Sequence, residues 1–259
     1  MLKVFFRIMF AFLLVFIICD VYKTDALAKE PDLSYIIKRT EMQQSKLITN
    51  VQDAVFMANA VYSETKSDGK VKKEVIAQRR IYMKRQGKLH EEYLSMIVNG
   101  NELDGKEKKK AIKDWQKKSR MSETKMPFSI EGNGAYDYSL IGNEIRNGIP
   151  VWVLGFTAKK KDDGYIDGKV YISKDGYNIT YIEFAPSKIP SVIKDMKLSL
   201  TYSDIQGYWL PVKFELDMKI KVKFVIDMFF RQIRVEDIYS EYKLNNQLSD
   251  SIFEGQKDG

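Results

Sequence analysis

The clearest pattern in the chain lies near its C-terminal end. Val212, Phe214, Leu216, Met218, Ile220, Val222 and Phe224 alternate with Lys213, Glu215, Asp217, Lys219, Lys221 and Lys223. Successive side chains of a β-strand point to opposite faces, so the spacing predicts a strand with one dry face and one charged face. Met196, Leu198, Leu200 and Tyr202 repeat the alternation against Lys197, Ser199, Thr201 and Ser203, and Gln206-Gly207 separates the two runs. Ile233 and Val235 alternate with Gln232, Arg234 and Glu236 in a last strand.

Earlier runs read the same way. Strands are predicted over 51–65, 71–84 and 89–98, punctuated by Asp68-Gly69, Gly87-Lys88 and Asn99-Gly100. Asn-Gly and Asp-Gly tolerate the positive φ that tight hairpins require. Segments 135–145 and 149–159 flank Asn147-Gly148, and 169–173 and 177–184 flank Asp175-Gly176. Residues 159–168 read as a polar loop. Two segments break the period of two. Leu33, Ile36, Ile37 and Thr40 sit at helical spacing and predict an amphipathic helix over 33–47. Residues 101–128 read as an insertion crossing an end or face of the sheet, with a charged helix around Ala111, Ile112 and Trp115. About ten strands joined mainly by short turns predict an antiparallel meander with one dry face. That face must be covered by a second sheet, by closure into a barrel, or by helices. A filled core and a ligand cavity fit the periodicity equally well.

The first residues carry a different message. Lys3 and Arg7 precede an apolar run over 8–19, and a polar stretch then ends in Ala26-Leu27-Ala28. That order is the signal-peptide pattern, cleaved near Ala28, and it predicts an exported, periplasmic protein. The apolar core is too short for a membrane-spanning helix, which needs about 20 residues. Retention as an anchor and lipid modification of Cys19 are the competing outcomes. The expected organisation is a leader over 1–28, one domain over 29–245 and a polar tail over 246–259.

Composition removes several chemistries. Cys19 is the only cysteine and His90 the only histidine. Cys/His zinc patterns therefore have no residues to use, and no nucleophile motif accompanies His90. No phosphate-binding glycine loop occurs, so no metal, cofactor or catalytic residue is expected and the chain is not read as an enzyme. A hydrolase relying on carboxylates alone is the remote alternative. The formal net charge of +7 is mild, and much of the basic charge sits in 106–118. Without a basic stripe interleaved with aromatics, nucleic acid is not an expected partner.

The order of features resembles the LolA/LolB-type lipoprotein-carrier superfamily, in particular its longer outer-membrane lipoprotein-sorting group. The resemblance rests on the helix after the leader, the long first strand, Ile97-Val98-Asn99-Gly100 before the insertion, and Pro127-Phe128. It continues through Tyr136-Asp137-Tyr138-Ser139-Leu140-Ile141-Gly142-Asn143-Glu144, Gly168-Lys169-Val170-Tyr171-Ile172 and Gly207-Tyr208-Trp209-Leu210-Pro211. It implies a mainly β, α+β fold: an incompletely closed antiparallel barrel or curved sheet with a helical lid. It also implies an apolar cavity for acyl chains, without a cofactor, in a monomeric carrier of lipoproteins or another lipid. The implied partners are an inner-membrane export complex and an outer-membrane acceptor. The dry faces supply candidate lining residues: Leu198, Leu200 and Tyr202 from one strand, and Val212, Phe214, Leu216, Met218 and Ile220 from the next. Trp152, Leu154 and Phe156 come from a strand that is apolar on both faces. The carriers' gating arginine has no residue-specific counterpart, although Arg79 and Arg80 lie in a plausible strand. An envelope-stress sensor or interaction module of the same fold is the alternative function.

Overall fold

A computed structural model describes residues 30–85, 87–119, 124–129, 132–162, 164–223 and 228–254. The expected leader and its cleavage site lie outside them. The first element is helix α1 (Leu33–Asn50). Asp32 caps it: its carboxylate accepts the Tyr35 N–H at 2.8 Å, satisfying one of the donors a helix start leaves free. The helix runs three residues past the expected end at Leu47 and buries Ile36 and Thr40.

Eleven strands among the described residues form one antiparallel sheet. In chain order these are β1 (Asp53–Lys66), β2 (Val71–Lys84), β3 (Lys88–Val98), β4 (Asn101–Glu102), β5 (Tyr136–Arg146) and β6 (Ile149–Ala158). Then follow β7 (Ile166–Ser173), β8 (Ile179–Pro186), β9 (Ile193–Ile205), β10 (Tyr208–Lys223) and β11 (Met228–Leu244). The spatial order is β4-β3-β2-β1-β11-β10-β9-β8-β7-β6-β5. The meander is therefore two meanders. The first and last long strands pair in mid-sheet, from Ala54↔Leu244 to Lys66↔Arg231. The two edges, β4 and β5, are consecutive in the chain and do not pair, so the sheet stays open. The insertion leaves β4 at one edge, forms helix α2 (Gly105–Ser119), and reaches β5 at the other.

Local chemistry explains most turns. Asn147 and Gly148 both take positive φ, 50° and 80°, as a two-residue hairpin requires. Asp175-Gly176 differs from expectation: the positive φ falls on Tyr177 (60°), and β8 starts only at Ile179. Helix α1 accounts for the change. Gln43 Nε2 donates to the Gly176 carbonyl at 2.9 Å, and the Tyr177 ring stacks on Trp152 with centroids 5.1 Å apart. The expected loop over 159–168 also ends early, because Ile166–Gly168 already belong to β7. A Cβ on Gly168 would stand 2.0 Å from the Glu183 carbonyl oxygen, so this strand position accepts only glycine.

The main core lies between α1 and the inner face of β5–β9. Leu154, Phe156, Ile172 and Ile182 are almost fully buried, with Ile36 of α1 packed among them. Each such side chain contributes roughly 1.5–3 kcal/mol on leaving water. The second apolar face of β6 has its own use. Val151 and Val153 pack with Tyr171 and Tyr181 on the outer face, where the Arg146 guanidinium lies 3.6 Å from the Tyr181 ring centroid. Residues 245–250 fold back on the sheet. Asp53 accepts the Asn246 and Leu248 N–H groups, and Asp250 pairs with Lys84 and Lys88.

Candidate functional site

The inner face is filled under α1 but not under α2. Between α2 and strands β1–β3 and β7–β11 lies a cavity of about 720 Å³. Its largest wall is the dry face of β9, β10 and β11. Register places Met196 beside Met218, Leu198 beside Leu216, Met218 beside Ile233, and Leu216 beside Val235. These six side chains form one continuous apolar surface lining the cavity. Tyr62, Val75, Met96 and Val98 close one side, while Ile166, Phe184 and Pro186 close the other. Ala111 and Trp115 of α2, with Thr124 beyond it, complete the wall.

Of the candidate lining residues, Leu198, Phe214, Leu216, Met218 and Ile220 are on this wall. The others are elsewhere. Leu200 and Tyr202 pack against the main core, and burial pushes the Tyr202 phenol up to about 12. Trp152, Leu154 and Phe156 belong to that core outright. Val212 sits at the bulge where the β9–β10 pairing steps from Pro211↔Tyr202 to Lys213↔Thr201. The bulge interrupts the two-residue period, so parity alone does not carry Val212 onto the same wall.

Sequence reasoning missed Val75, Met96 and Val98. A usable signal existed in β2, where Val75, Ala77, Arg79 and Ile81 are all buried and alternate with exposed or half-buried neighbours. Arg79 is thus an inward-facing cation. Its Nη1 meets Glu91 at 3.0 Å and its Nη2 meets Asp237. Tyr93 donates to Glu91 at 2.6 Å. Burial pushes the Tyr93 and Tyr239 phenols far up, and pushes the Asp237 carboxyl up despite the arginine beside it. Trp115 covers this cluster, with the Arg79 guanidinium 5.9 Å from its ring centroid, and meets Tyr62 edge-on at 6.3 Å. Lys108 Nζ donates to the Leu94 carbonyl at 2.9 Å and ties α2 to β3. Arg80, by contrast, points to the other face and pairs with Glu92.

The charged groups on the cavity wall are Glu64, Lys73, Asp114 and Arg231. Glu64 bonds both Lys72 (3.1 Å) and Arg231 (2.9 Å). Burial works to raise the Glu64 pKa, but the two cations outweigh it and hold the carboxyl below its usual range. That is the opposite of what a proton-donating acid needs. Among the described residues, no group of three or more His, Cys, Asp or Glu side chains is placed to hold a metal. The arrangement suits burial of an apolar group, which needs no covalent step.

A family model, that of the family of unknown function DUF5686, matches residues 37–235. The chain belongs to this family. The DUF5686 match runs from α1 into β11 and contains every residue named above on the cavity wall. No curated protein matches the chain. Solved structures similar to it include a DUF1329 family protein from Desulfovibrio piger, at 16% identity and TM-score 0.43, covering 86% of this chain and 97% of that one. Another is a putative outer membrane lipoprotein-sorting protein domain from Vibrio parahaemolyticus, at 12% identity and TM-score 0.42, covering 84% and 97%. A third is a LolA superfamily protein from Nitrosomonas europaea, at 14% identity and TM-score 0.36, covering 85% and 96%.

Proposed function

We propose that this protein is an exported, periplasmic carrier that holds the acyl chains of a lipoprotein or another lipid in the cavity under α2 and moves them towards the outer membrane. One observation carries the reading: a cavity of about 720 Å³ whose wall is continuous apolar side chains from β9, β10 and β11. Each buried methylene contributes roughly 0.8 kcal/mol. A dozen of them supply about 10 kcal/mol before the costs of ordering cargo and protein are met. Extraction of a chain from a membrane thus needs no covalent chemistry, and release needs only an acceptor that binds more tightly or a displacement of α2. The signal-peptide pattern over 1–28 supports the periplasmic setting. Residues 29–245 act as one lipid-binding unit in a monomer, with donor and acceptor proteins in the two membranes.

The test is lipid extraction and native mass spectrometry of protein purified from its own envelope, followed by titration of the delipidated protein with a fluorescent fatty acid. Bound lipid and saturable probe binding are expected. Leu216→Trp places an indole in the cavity and should weaken the probe by at least about tenfold, or roughly 1.4 kcal/mol. A folded protein that carries no lipid and binds no probe overturns the reading.

A further inference from the structure

Helix α2 has two faces of opposite character, and the cavity uses only one. At 3.6 residues per turn, Lys108, Ala111, Ile112 and Trp115 share the side towards the sheet, as the Lys108–Leu94 bond and the cavity wall require. Lys106, Lys109, Lys110 and Lys113 fall within about a 100° arc on the opposite side. All four are exposed, and none forms an ion pair among the described residues. The two acids of the helix, Glu107 and Asp114, lie together on one flank, and Asp114 is at the cavity. The outer ridge of α2 therefore carries one sign of charge. The charged groups of the cavity wall, Glu64, Lys73, Asp114 and Arg231, balance in sign, so the excess positive charge of this region lies on the ridge itself.

We infer that the outer ridge of α2 docks on the anionic surface of a lipid bilayer, setting the cavity's covering helix against the membrane. Charge complementarity carries this choice of partner. A row of lysines presents compact charges on long flexible stems, without the guanidinium fork that selects a particular carboxylate or phosphate geometry. Such a row fits a diffuse field of headgroups, where each basic side chain strengthens partition by about fivefold. The placement also fits a carrier, because the helix that covers the cavity is then the element nearest the lipid. The inference rests on the cargo reading only for what α2 covers; the docking itself does not require a filled cavity.

Flotation of the mature chain with vesicles separates the possibilities. Vesicles of phosphatidylcholine mixed with phosphatidylglycerol should bind the protein, and vesicles of phosphatidylcholine alone should not. Binding should vanish near 1 M salt, where the screening length is about 3 Å. The combined change Lys106→Glu, Lys109→Glu, Lys110→Glu and Lys113→Glu should weaken partition by at least about tenfold. The same four changed to Gln give a milder version that keeps the test valid if the reversed helix does not fold. A control reverses four exposed lysines elsewhere, Lys38, Lys46, Lys188 and Lys194, and should shift partition by less than about threefold. Equal binding to both vesicle types, an equal loss in the control, or unchanged binding by the glutamine variant overturns the inference. So does binding to polyglutamate without binding to anionic vesicles, which would make the partner an acidic protein. Fatty-acid probe binding, read on the same samples, should survive the α2 changes. Its absence from the unmodified protein would sink the carrier reading and leave the docking result standing.

Discussion

The two halves of the sheet's inner face are built from the same kind of strand and end differently. Under α1, Trp152, Leu154, Phe156, Ile172 and Ile182 close into a core. Under α2, Leu216, Met218, Ile220, Ile233 and Val235 alternate just as regularly and line a cavity. The cover makes the difference. Helix α1 brings Leu33, Ile36 and Ile37 against the sheet. Helix α2 is lysine-rich, and brings Ala111 and one large ring, Trp115, to the cavity wall. Its neighbouring strands β1 and β2 offer Ala54, Ala58, Ala60 and Ala77 as small buried residues, together with the buried Arg79 ion cluster. A strand's period tells which face is dry, but not whether the opposing element has enough apolar volume to fill the space.

The sharpest way to break the comparison is to truncate one residue in each half. Phe156→Ala should cost about 3–5 kcal/mol in denaturant unfolding, whereas Met218→Ala, already beside open space, should cost under about 2 kcal/mol. Equal losses would mean that the cavity half is as tightly filled as the core. A comparable loss is expected from Arg79→Met. It leaves Asp237 and Glu91 buried without their cation, a change that costs about 3–5 kcal/mol. Adding Glu91→Leu and Asp237→Leu should recover most of it, because a buried ion cluster can be replaced by apolar side chains at little net cost. A smaller effect comes from overfilling. Leu154→Trp should lose about 1–3 kcal/mol of stability, while Leu216→Trp, which lines the cavity as well as packing on the core, should lose less and act mainly on probe binding. Melting and titration on the two variants read both effects. The smallest effect is a pH dependence at the rim. Glu64 has a folded-state pKa below its unfolded value, so the stability it contributes is present in full above about pH 4.5 and is lost as pH falls through the folded pKa. Glu64→Gln should therefore be less stable than the unmodified chain at neutral pH and equal to it in acid.

Much of the architecture is legible in the sequence, and the gaps have physical causes. The alternation in β10 announces a long strand with one dry face, and the Asn-Gly turns mark hairpins because their backbone conformation excludes most other residues. The start of β7 is hidden by Gly168, whose strand position is set by the approach of the Glu183 carbonyl. The loop at Tyr177 is hidden because its shape is imposed by Gln43 of α1, more than a hundred residues away in sequence. The same distance problem limits the site. Leu216 and Leu200 have the same pattern and both pack on the core, yet only Leu216 also lines the cavity. The apolar faces of β6 suggested Trp152, Leu154 and Phe156 for the cavity, but α1 lies over that strand and fills the space. Arg79 stands in a run that alternates correctly, and its burial is tolerable because β3 brings Glu91 and β11 brings Asp237 to it.

The pairing of β1 with β11 has a consequence for how the molecule is made. Ala58 waits for Tyr239, and Tyr62 for Val235, across about two thirds of the chain. Until β11 leaves the ribosome, each meander presents a raw strand to its surroundings, β1 on one and β10 on the other. Pairings this remote form slowly, because the intervening chain must first be drawn into a loop. A nascent chain of this design therefore stays unfinished through most of its synthesis, because its two meanders cannot join until the last long strand is made.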